Sequence, residues 1–524
     1  MNSLGLLAQN TLKDSIVIPE VSVEASQKTI PSLQTIDSTV LHRSVQRDLG
    51  EVLAQNANLF VKSYGLGSQA TVSLRGSGSA HTNVLWNGVS LNSSMNGIVD
   101  LALFPSLFVD QLSVDYGNSS LTTASGGIGG AIALEISVNF AKTNRGTIQQ
   151  DYGSFGFRNS AIKYEWGNRK FQSVSRIFYR SADNDFEFRD FAEEGTPRSR
   201  IENSSLEQKS FMQSLYYRLK PDLKIEGHLW LYDSQRDLPP IISLPDIQER
   251  QEDQSARLML QLEKFQRESF YTLNISAFQD EVLYSNSRLL RDTESQTASY
   301  KFWGEWQWKR EKWVLYNRLD FRLENAEHPS FASNVQRERA SLYSSLAYQL
   351  KPKWNAELAA RVERIWQEDD FLLPSFTLTH QTHKNLLLNL QLSKNLKYPS
   401  LNDLYWEFGG NRALEAEQNQ SVEVGARYRK AFASASLEAA ASAYYSEIDQ
   451  YIQWQPTAFG FWQAVNLKFV KIRGLETSFR FQEKDRLFRT SLQANYTYTQ
   501  SLNQGKRHAF DESDGKQLIY IPEH

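Results

Sequence analysis

The chain has 524 residues, with 57 Lys plus Arg against 60 Asp plus Glu, no cysteine, and 23 Tyr, 29 Phe and 12 Trp. The near-balance of charge gives no electrostatic footprint for nucleic acid, and the missing thiols exclude disulfide scaffolds, thiolate metal sites and cysteine nucleophiles. The length exceeds what one compact core accommodates, mean hydropathy is −0.50, and no apolar run approaches the roughly 18 residues of a spanning helix.

Residues Met1 to Gln9 lack the basic region of a signal peptide, yet their apolar stretch closing on Ala8-Gln9 is similar to the last half of one. Residues 1–13 therefore read either as a signal remnant or as a disordered terminus. Asp14 to Ala25 follows as a short alternating segment rich in β-branched residues. Ser44 to Ala54 predicts a helix, because Val45, Leu49, Val52 and Leu53 fall on one stripe. Thr71 to Arg75 and Asn83 to Trp86 alternate as strands, and Asn87-Gly88 is a strong hairpin-turn signal. Up to about Asn139 the chain reads as a small α+β domain.

Beyond Asn139 the side chains alternate with a period of two. Leu223, Ile225, Leu229 and Leu231 oppose Lys224, Glu226 and His228; Trp354, Ala356, Leu358 and Val362 oppose Asn355, Glu357, Arg361 and Glu363. Leu386, Leu388, Leu390 and Leu392 likewise oppose Asn389, Gln391 and Ser393. No helix sustains that period. Tight turns at Leu219–Asp222, Leu350–Lys353 and His383–Asn385 alternate with long polar stretches such as 181–208 and 239–255. Short turns on one rim, long loops on the other and abundant aromatic residues for interfacial girdles describe a transmembrane β-barrel better than a soluble sandwich.

Several of these stretches resemble the TonB-dependent outer-membrane receptors, and within them the cobalamin-receptor-like branch. Ser73-Leu74-Arg75-Gly76, Val84 to Asn92, Phe104 to Val114 with Tyr116-Gly117, and Ala124 to Ile132 match the family's plug. Asn395 to Trp406, Gly409-Gly410-Asn411, Leu414 to Glu417, Asn466 and Arg473 to Glu476 match its barrel, with Arg412 standing where the family usually has proline. The resemblance implies a mainly β fold: an antiparallel transmembrane barrel, 22-stranded in the family, with a small α+β plug in its lumen. The divisions are 1–13 terminus, 14–37 Ton-box segment and linker, 38–139 plug, and 140–524 barrel. Leu518 to His524 is similar to an internal family motif that further strands normally follow. About 385 residues remain after Asn139, enough for about 16–18 strands at roughly 20–25 residues each. A C-terminally truncated barrel is the expectation.

The same resemblance implies import across the outer membrane of a Gram-negative bacterium, energised through TonB and its inner-membrane complex, with outer-membrane lipid as surroundings and a surface lipoprotein as a further possible partner. Asp14, Ser15, Ile16, Val17, Ile18, Val21 and Val23 would contact TonB, an extended edge suited to β-augmentation. Gly67, Ser68 and Gln69 at one plug apex and Asn92, Ser93, Ser94, Met95 and Asn96 at the other would contact the ligand. Arg75, Gly76, Asn87, Gly88, Gly127 and Gly130 are structural plug positions, and Arg75 is expected to pair with lumen carboxylates. The two apices carry no cation, which favours an uncharged, amide-decorated ligand such as cobalamin or a related corrinoid; a siderophore or other metallophore is the alternative. Asp183, Asp185 and Asp190, with Glu193 and Glu194, gather carboxylates of the kind that hold calcium in cobalamin receptors. Their spacing fits no dedicated calcium motif, and a solvated acidic loop is the favoured reading. No cofactor is required. HExxH, G-x-S-x-G and an acid pair at defined spacing are all missing from the sequence, so an enzyme is not expected. The plug opposes a passive porin, and the Ton-box-like segment opposes an adhesin.

Overall fold

The period-two alternation past Asn139 produces a single large sheet. The computed structural model describes residues 33–524, apart from 37, 118–121, 123–125, 192–194, 240–247, 289–291, 367–369, 458, 468, 485–488 and 506–510. Seventeen strands, from Thr143–Tyr152 to Arg489–Gln504, pair antiparallel with their neighbours and curl into a barrel. In the strand Trp313–Glu327, Arg318 and Glu324 are buried toward the lumen while Leu319 and Phe321 lie exposed outside. The strands Leu223–Leu238, Trp354–Ile365 and Leu386–Lys397 do the same: Glu226, Arg361 and Asn389 are buried, whereas Leu231, Leu358 and Leu392 face outward. An apolar exterior is stable only against lipid, so the alternation read from the sequence fixes which face is which.

The connections sort by rim as expected. Gly167 to Phe171, Lys220 to Leu223, Gln266 to Ser269, Arg310 to Trp313, Lys351 to Trp354 and His383 to Leu386 are tight turns. Aromatic pairs gather at that rim: Phe265 with Phe270 at 4.6 Å, Trp313 with Tyr348 at 4.1 Å, and Trp354 stacked on His380 at 4.0 Å. Longer connections on the other rim carry their own structure, including the paired strands Glu187–Arg189 and Arg198–Arg200, and Ile452–Pro456 with Trp462–Asn466.

Seventeen is odd, so the first and last strands of the sheet run in the same direction. No residue-by-residue register joins them among the described residues. Residues 515–523 instead lie along the final strand. Leu518 N–H donates to the Ser501 carbonyl at 2.8 Å and Thr499 N–H to that of Glu523 at 2.8 Å. Leu518 thereby joins a buried cluster with Ile448, Val470 and Ile472.

The lumen holds the plug. Its main sheet has the order β1 (Leu33–Ile36), β6 (Gln111–Tyr116), β7 (Gly130–Glu135), β4 (Thr82–Trp86), β5 (Val89–Ser90), with β4 and β7 parallel; β2 (Phe60–Ser63) pairs with β3 (Ala70–Ser73). Asn87 and Gly88, both at positive φ, turn β4 into β5. Helices α1 (Ser38–Arg43) and α2 (Leu49–Asn56) cover the sheet. The helix expected from Ser44 starts five residues later, because the Asp48 side chain accepts the Glu51 N–H at 2.9 Å and caps the chain there. Leu49, Val52 and Leu53 are fully buried in one cluster with Leu112, Ile132 and Leu134. Burial of each such side chain is worth about 1.5–3 kcal/mol.

Candidate functional site

Two different surfaces seat the plug. On the wall built from strands 417–504, Arg75 projects from the end of β3 into the lumen. Its guanidinium reaches Glu423 at 2.7 Å and Glu476 at 3.0 Å, and lies over the Tyr444 ring at 4.6 Å. Both carboxylates are about 5% exposed, so each depends on Arg75 for charge compensation. Next to it, Gly76 has φ +67, and a Cβ there would lie 2.1 Å from Ser501 Oγ, so only glycine lets the plug backbone approach the wall. The Gly76 carbonyl accepts the Ser501 hydroxyl at 2.8 Å. His81 bonds Glu417, which also takes Lys397 at 2.7 Å, and the His81 ring stacks on Tyr451. Asn58 and Asn56 make further polar contacts with Thr477 and Gln493. In the rest of the plug's structural set, Gly127 is buried and Gly130 has φ +149, with a Cβ there 2.5 Å from the Asp115 carbonyl.

On the opposite wall the contact is aromatic. Trp86, Phe104 and Phe108 of the plug meet Trp230 at 5.3, 5.3 and 5.6 Å between ring centroids, and Phe108 meets Phe178 at 6.4 Å. Ion pairs rim this patch. Arg236 bonds Asp100 at 2.6 Å, and Asp110 takes both Arg176 at 2.5 Å and Lys163 at 3.0 Å. Burial alone would raise the Asp110 carboxyl, but the Arg176 and Lys163 charges hold it below the usual carboxylate range. At Asp48 burial outweighs the Glu51 N–H bond and the Arg180 charge and pushes the carboxyl up to about 6.

The long-loop rim opens into a basin of about 1230 Å³ whose lining includes Arg337, Glu338, Trp366, Tyr405, Arg412 and Glu415. Helix α3 (Leu401–Tyr405) forms part of its floor, held by a capping box in which Ser400 and Asp403 satisfy each other's backbone N–H groups. This helix covers one plug apex. Leu401 N–H donates to the Ser94 carbonyl at 3.0 Å and Asn402 N–H to that of Met95 at 2.7 Å. The Met95 side chain is buried with Phe331, Val335 and Leu401. Asn92 turns inward, bonding Val84 N–H, the Thr82 carbonyl and the Gly97 carbonyl. Asn96 is exposed and Ser93 half-buried. At the other apex Gly67 packs against Leu206, Ser68 is half-buried and Gln69 is exposed. Of the eight candidate ligand contacts, Gln69 and Asn96 thus present exposed side chains, while Ser94 and Met95 serve the seam between plug and loop. Of the basin's residues, Tyr405, Arg412 and Glu415 fall in or beside stretches that match the family's barrel, whereas Arg337, Glu338 and Trp366 carried no sequence signal.

In the acidic loop, Asp185 bonds Arg200 at 2.8 Å, Asp183 is exposed and Asp190 buried, while Glu193 and Glu194 lie outside the described residues. Among the described residues no group of three His, Cys, Asp or Glu side chains converges as metal ligands. The segment from Asp14 to Val23, with all seven candidate TonB contacts, also lies outside the described residues. Among the described residues no helix is long and apolar enough to cross a membrane, which leaves strand crossing untouched.

Two family models match the chain. The family described as TonB dependent receptor-like, beta-barrel, matches residues 100–524, and the TonB-dependent Receptor Plug Domain matches residues 26–131. A vitamin B12 transporter, BtuB of Vibrio vulnificus, is 24% identical over 439 residues, covering 80% of this chain and 67% of its own. Among solved structures, the siderophore receptor PirA from Acinetobacter baumannii superposes with a TM-score of 0.74 at 14% identity, over 95% of this chain and 83% of its own. The copper transporter OprC superposes with a TM-score of 0.73 at 14% identity, over 94% and 81%. At those identities the structural likeness shows the fold alone.

Proposed function

Because the chain belongs to the TonB-dependent receptor family of the outer membrane, whose members are receptors and transporters, we propose that it imports a corrinoid, cobalamin or a close relative. The ligand binds in the basin on the long-loop rim. Energy delivered by TonB to the chain ahead of the plug then shifts the plug in the lumen.

The observation that carries this reading is the charge of the basin. Arg337 and Arg412 are matched by Glu338 and Glu415, and Trp366, Phe371 and Tyr405 supply apolar and aromatic surface. A large, formally balanced basin with aromatic faces suits a bulky ligand whose periphery is mostly amide, whereas a polyanionic ligand calls for a clear cationic excess. The relationship to a vitamin B12 transporter across 80% of the chain points the same way. The siderophore reading keeps support from Arg337, which lines the basin, and the half-buried Arg322 and Arg339, all three of which pair with one carboxylate, Glu324.

The test is equilibrium binding to the full chain refolded in detergent, with cyanocobalamin and a panel of ferric siderophores compared by tryptophan quenching. Saturable cyanocobalamin binding, weakened at least tenfold by Trp366→Ala, is the expected result. Siderophore binding without cyanocobalamin binding overturns the corrinoid assignment and leaves the receptor assignment intact.

A further inference from the structure

One stretch of barrel wall grips three alternate carbonyls of the plug. Arg318 Nη2 donates to the Gly88 carbonyl at 3.2 Å, Lys301 Nζ to that of Ser90 at 2.5 Å, and Arg322 Nη2 to that of Asn92 at 3.4 Å. All three carbonyls belong to the hairpin turn, to β5 and to the residues just after it. The cations are not equally compensated. Arg318 is neutralised by Glu305 at 2.8 Å and Asp320 at 2.9 Å, and Arg322 by Glu324 at 2.6 Å. Lys301, only 8% exposed, makes no ion pair among the described residues; its ammonium rests on the Phe278 ring at 4.3 Å. Arg322 Nε is buried and has no acceptor.

A buried ammonium held by a neutral carbonyl and a ring face is poorly compensated. An oxyanion forms shorter hydrogen bonds with such donors, roughly twice as strong as a neutral carbonyl does. Space exists beside them: a cavity of about 50 Å³ separates Gly88, Val89 and Ser90 from the wall, and Arg339 and Arg361 also face it. The cavity's own carboxylates are Asp320, already on Arg318, and Glu363, already on Arg361. The way in is marked by a single strand face. Arg337 lines the basin and Arg339, two residues on, lines the cavity, both on the lumen side of Val335–Lys351.

We propose that this cavity is an oxyanion site whose occupation releases the plug hairpin. A carboxylate or phosphate group binds Lys301 and Arg322, displaces the Ser90 and Asn92 carbonyls, and frees β5 from the barrel wall. The group can belong to either ligand class considered above, as the phosphodiester of a corrinoid or the carboxylate of a siderophore. The site therefore stands apart from the corrinoid assignment, needing only an anionic substituent.

Hydrogen exchange of the amides of residues 87–92, in the full chain refolded in detergent, tests this directly. Titration with dimethyl phosphate and with acetate is compared with chloride at matched ionic strength. The expected result is a saturable several-fold acceleration with at least one oxyanion and none with chloride; which oxyanion acts identifies the ligand group. Lys301→Met should exchange at its own rate regardless of added oxyanion, and Lys301→Arg should keep the response. An equal effect of chloride, no response in the wild type, or an unchanged response in a folded Lys301→Met protein overturns the proposal. Should Lys301→Met fail to fold, Arg322→Gln serves instead, with a response weakened at least fivefold expected and an unchanged one overturning the proposal.

Discussion

Arg75→Ala separates charge compensation from mere packing at the plug seat. The substitution leaves Glu423 and Glu476 buried without the cation that both now share. Breaking a buried ion pair from one side costs about 3–5 kcal/mol, because the remaining charges stay desolvated. At about 1.4 kcal/mol per decade, the local opening of β3 and the following turn becomes roughly two to four orders of magnitude more frequent. Hydrogen exchange of residues 70–77 at pH 7, in refolded protein, reads that change. The control is the triple variant Arg75→Met with Glu423→Gln and Glu476→Gln, which removes all three charges and keeps similar volumes. Replacing a buried ion network by neutral groups is often close to neutral in stability, so the triple variant should recover most of the lost protection. Wild-type exchange in Arg75→Ala refutes the reasoning. So does a triple variant as loose as the single one, since packing would then carry the seat.

Asp48 titrates at about 6 in the folded plug against 3.8 for the ordinary carboxyl, and burial is the chief cause. The folded plug therefore binds this proton more tightly than the open one, so protection of α2 rises as pH falls from 7 toward 4, by up to about 3 kcal/mol. Asp110, held below the ordinary value, opposes this only under about pH 4, where its stabilising pairs begin to protonate. In Asp48→Asn the cap is kept and the pH dependence of α2 exchange between 4 and 7 should vanish; a wild-type slope there contradicts the assignment. Trp230→Ala removes the ring shared by Trp86, Phe104 and Phe108 and should lower the plug's stability by about 3–5 kcal/mol, measured as a shift in its denaturant midpoint. Gly76→Ala places a methyl against Ser501 and Thr499 at a positive φ. It should leave the plug open to trypsin, and Gly76→Ala with Ser501→Ala should not rescue it, because the Thr499 contact and the strained φ remain.

The barrel was legible because a strand's side-chain period is a property of neighbours: Leu229 and Leu231 against Lys224 and Glu226 announce both faces within eight residues. The plug's seat was legible only as a type of contact. Arg75 invites a carboxylate, but Glu423 and Glu476 lie 348 and 401 residues away, and nothing local names them. The start of α2 was missed because an N-cap competes with the apolar stripe, and Val45 is buried without being helical. The apex reading failed to foresee α3. Small polar residues at Asn92 to Asn96 look like a solvated loop, yet Leu401 and Asn402 close over Ser94 and Met95 from the barrel side. The basin escaped because its lining is gathered from distant stretches, Arg337 and Glu338 on one strand and Tyr405 to Ala416 on another connection, and nothing local shows that they face one space.

The two surfaces of the seat differ in what it costs to part them, and under the proposed import that difference would order the plug's movement. Separating Trp86, Phe104 and Phe108 from Trp230 exposes apolar area to water at about 25 cal/mol per Å², with nothing returned. Separating Arg75 from its carboxylates, or Gly76 from Ser501, exchanges protein hydrogen bonds for hydrogen bonds to water, and the net loss is about 0.5–1.5 kcal/mol for a neutral bond and about 1.5–3 kcal/mol for one to a charged group. Charged groups recover hydration once water enters, so the ionic wall weakens itself as it opens, whereas the aromatic wall does not. Water has a foothold on the ionic side, where cavities of about 110 and 30 Å³ flank the Arg75, Glu423 and Glu476 cluster. β1 lies along the 110 Å³ cavity through Gln34 and Thr35, so under the proposed import a pull on the chain ahead of it should part this weaker side first. Under the proposed import the plug would then turn on its aromatic contact, and the passage would open along strands 417–504.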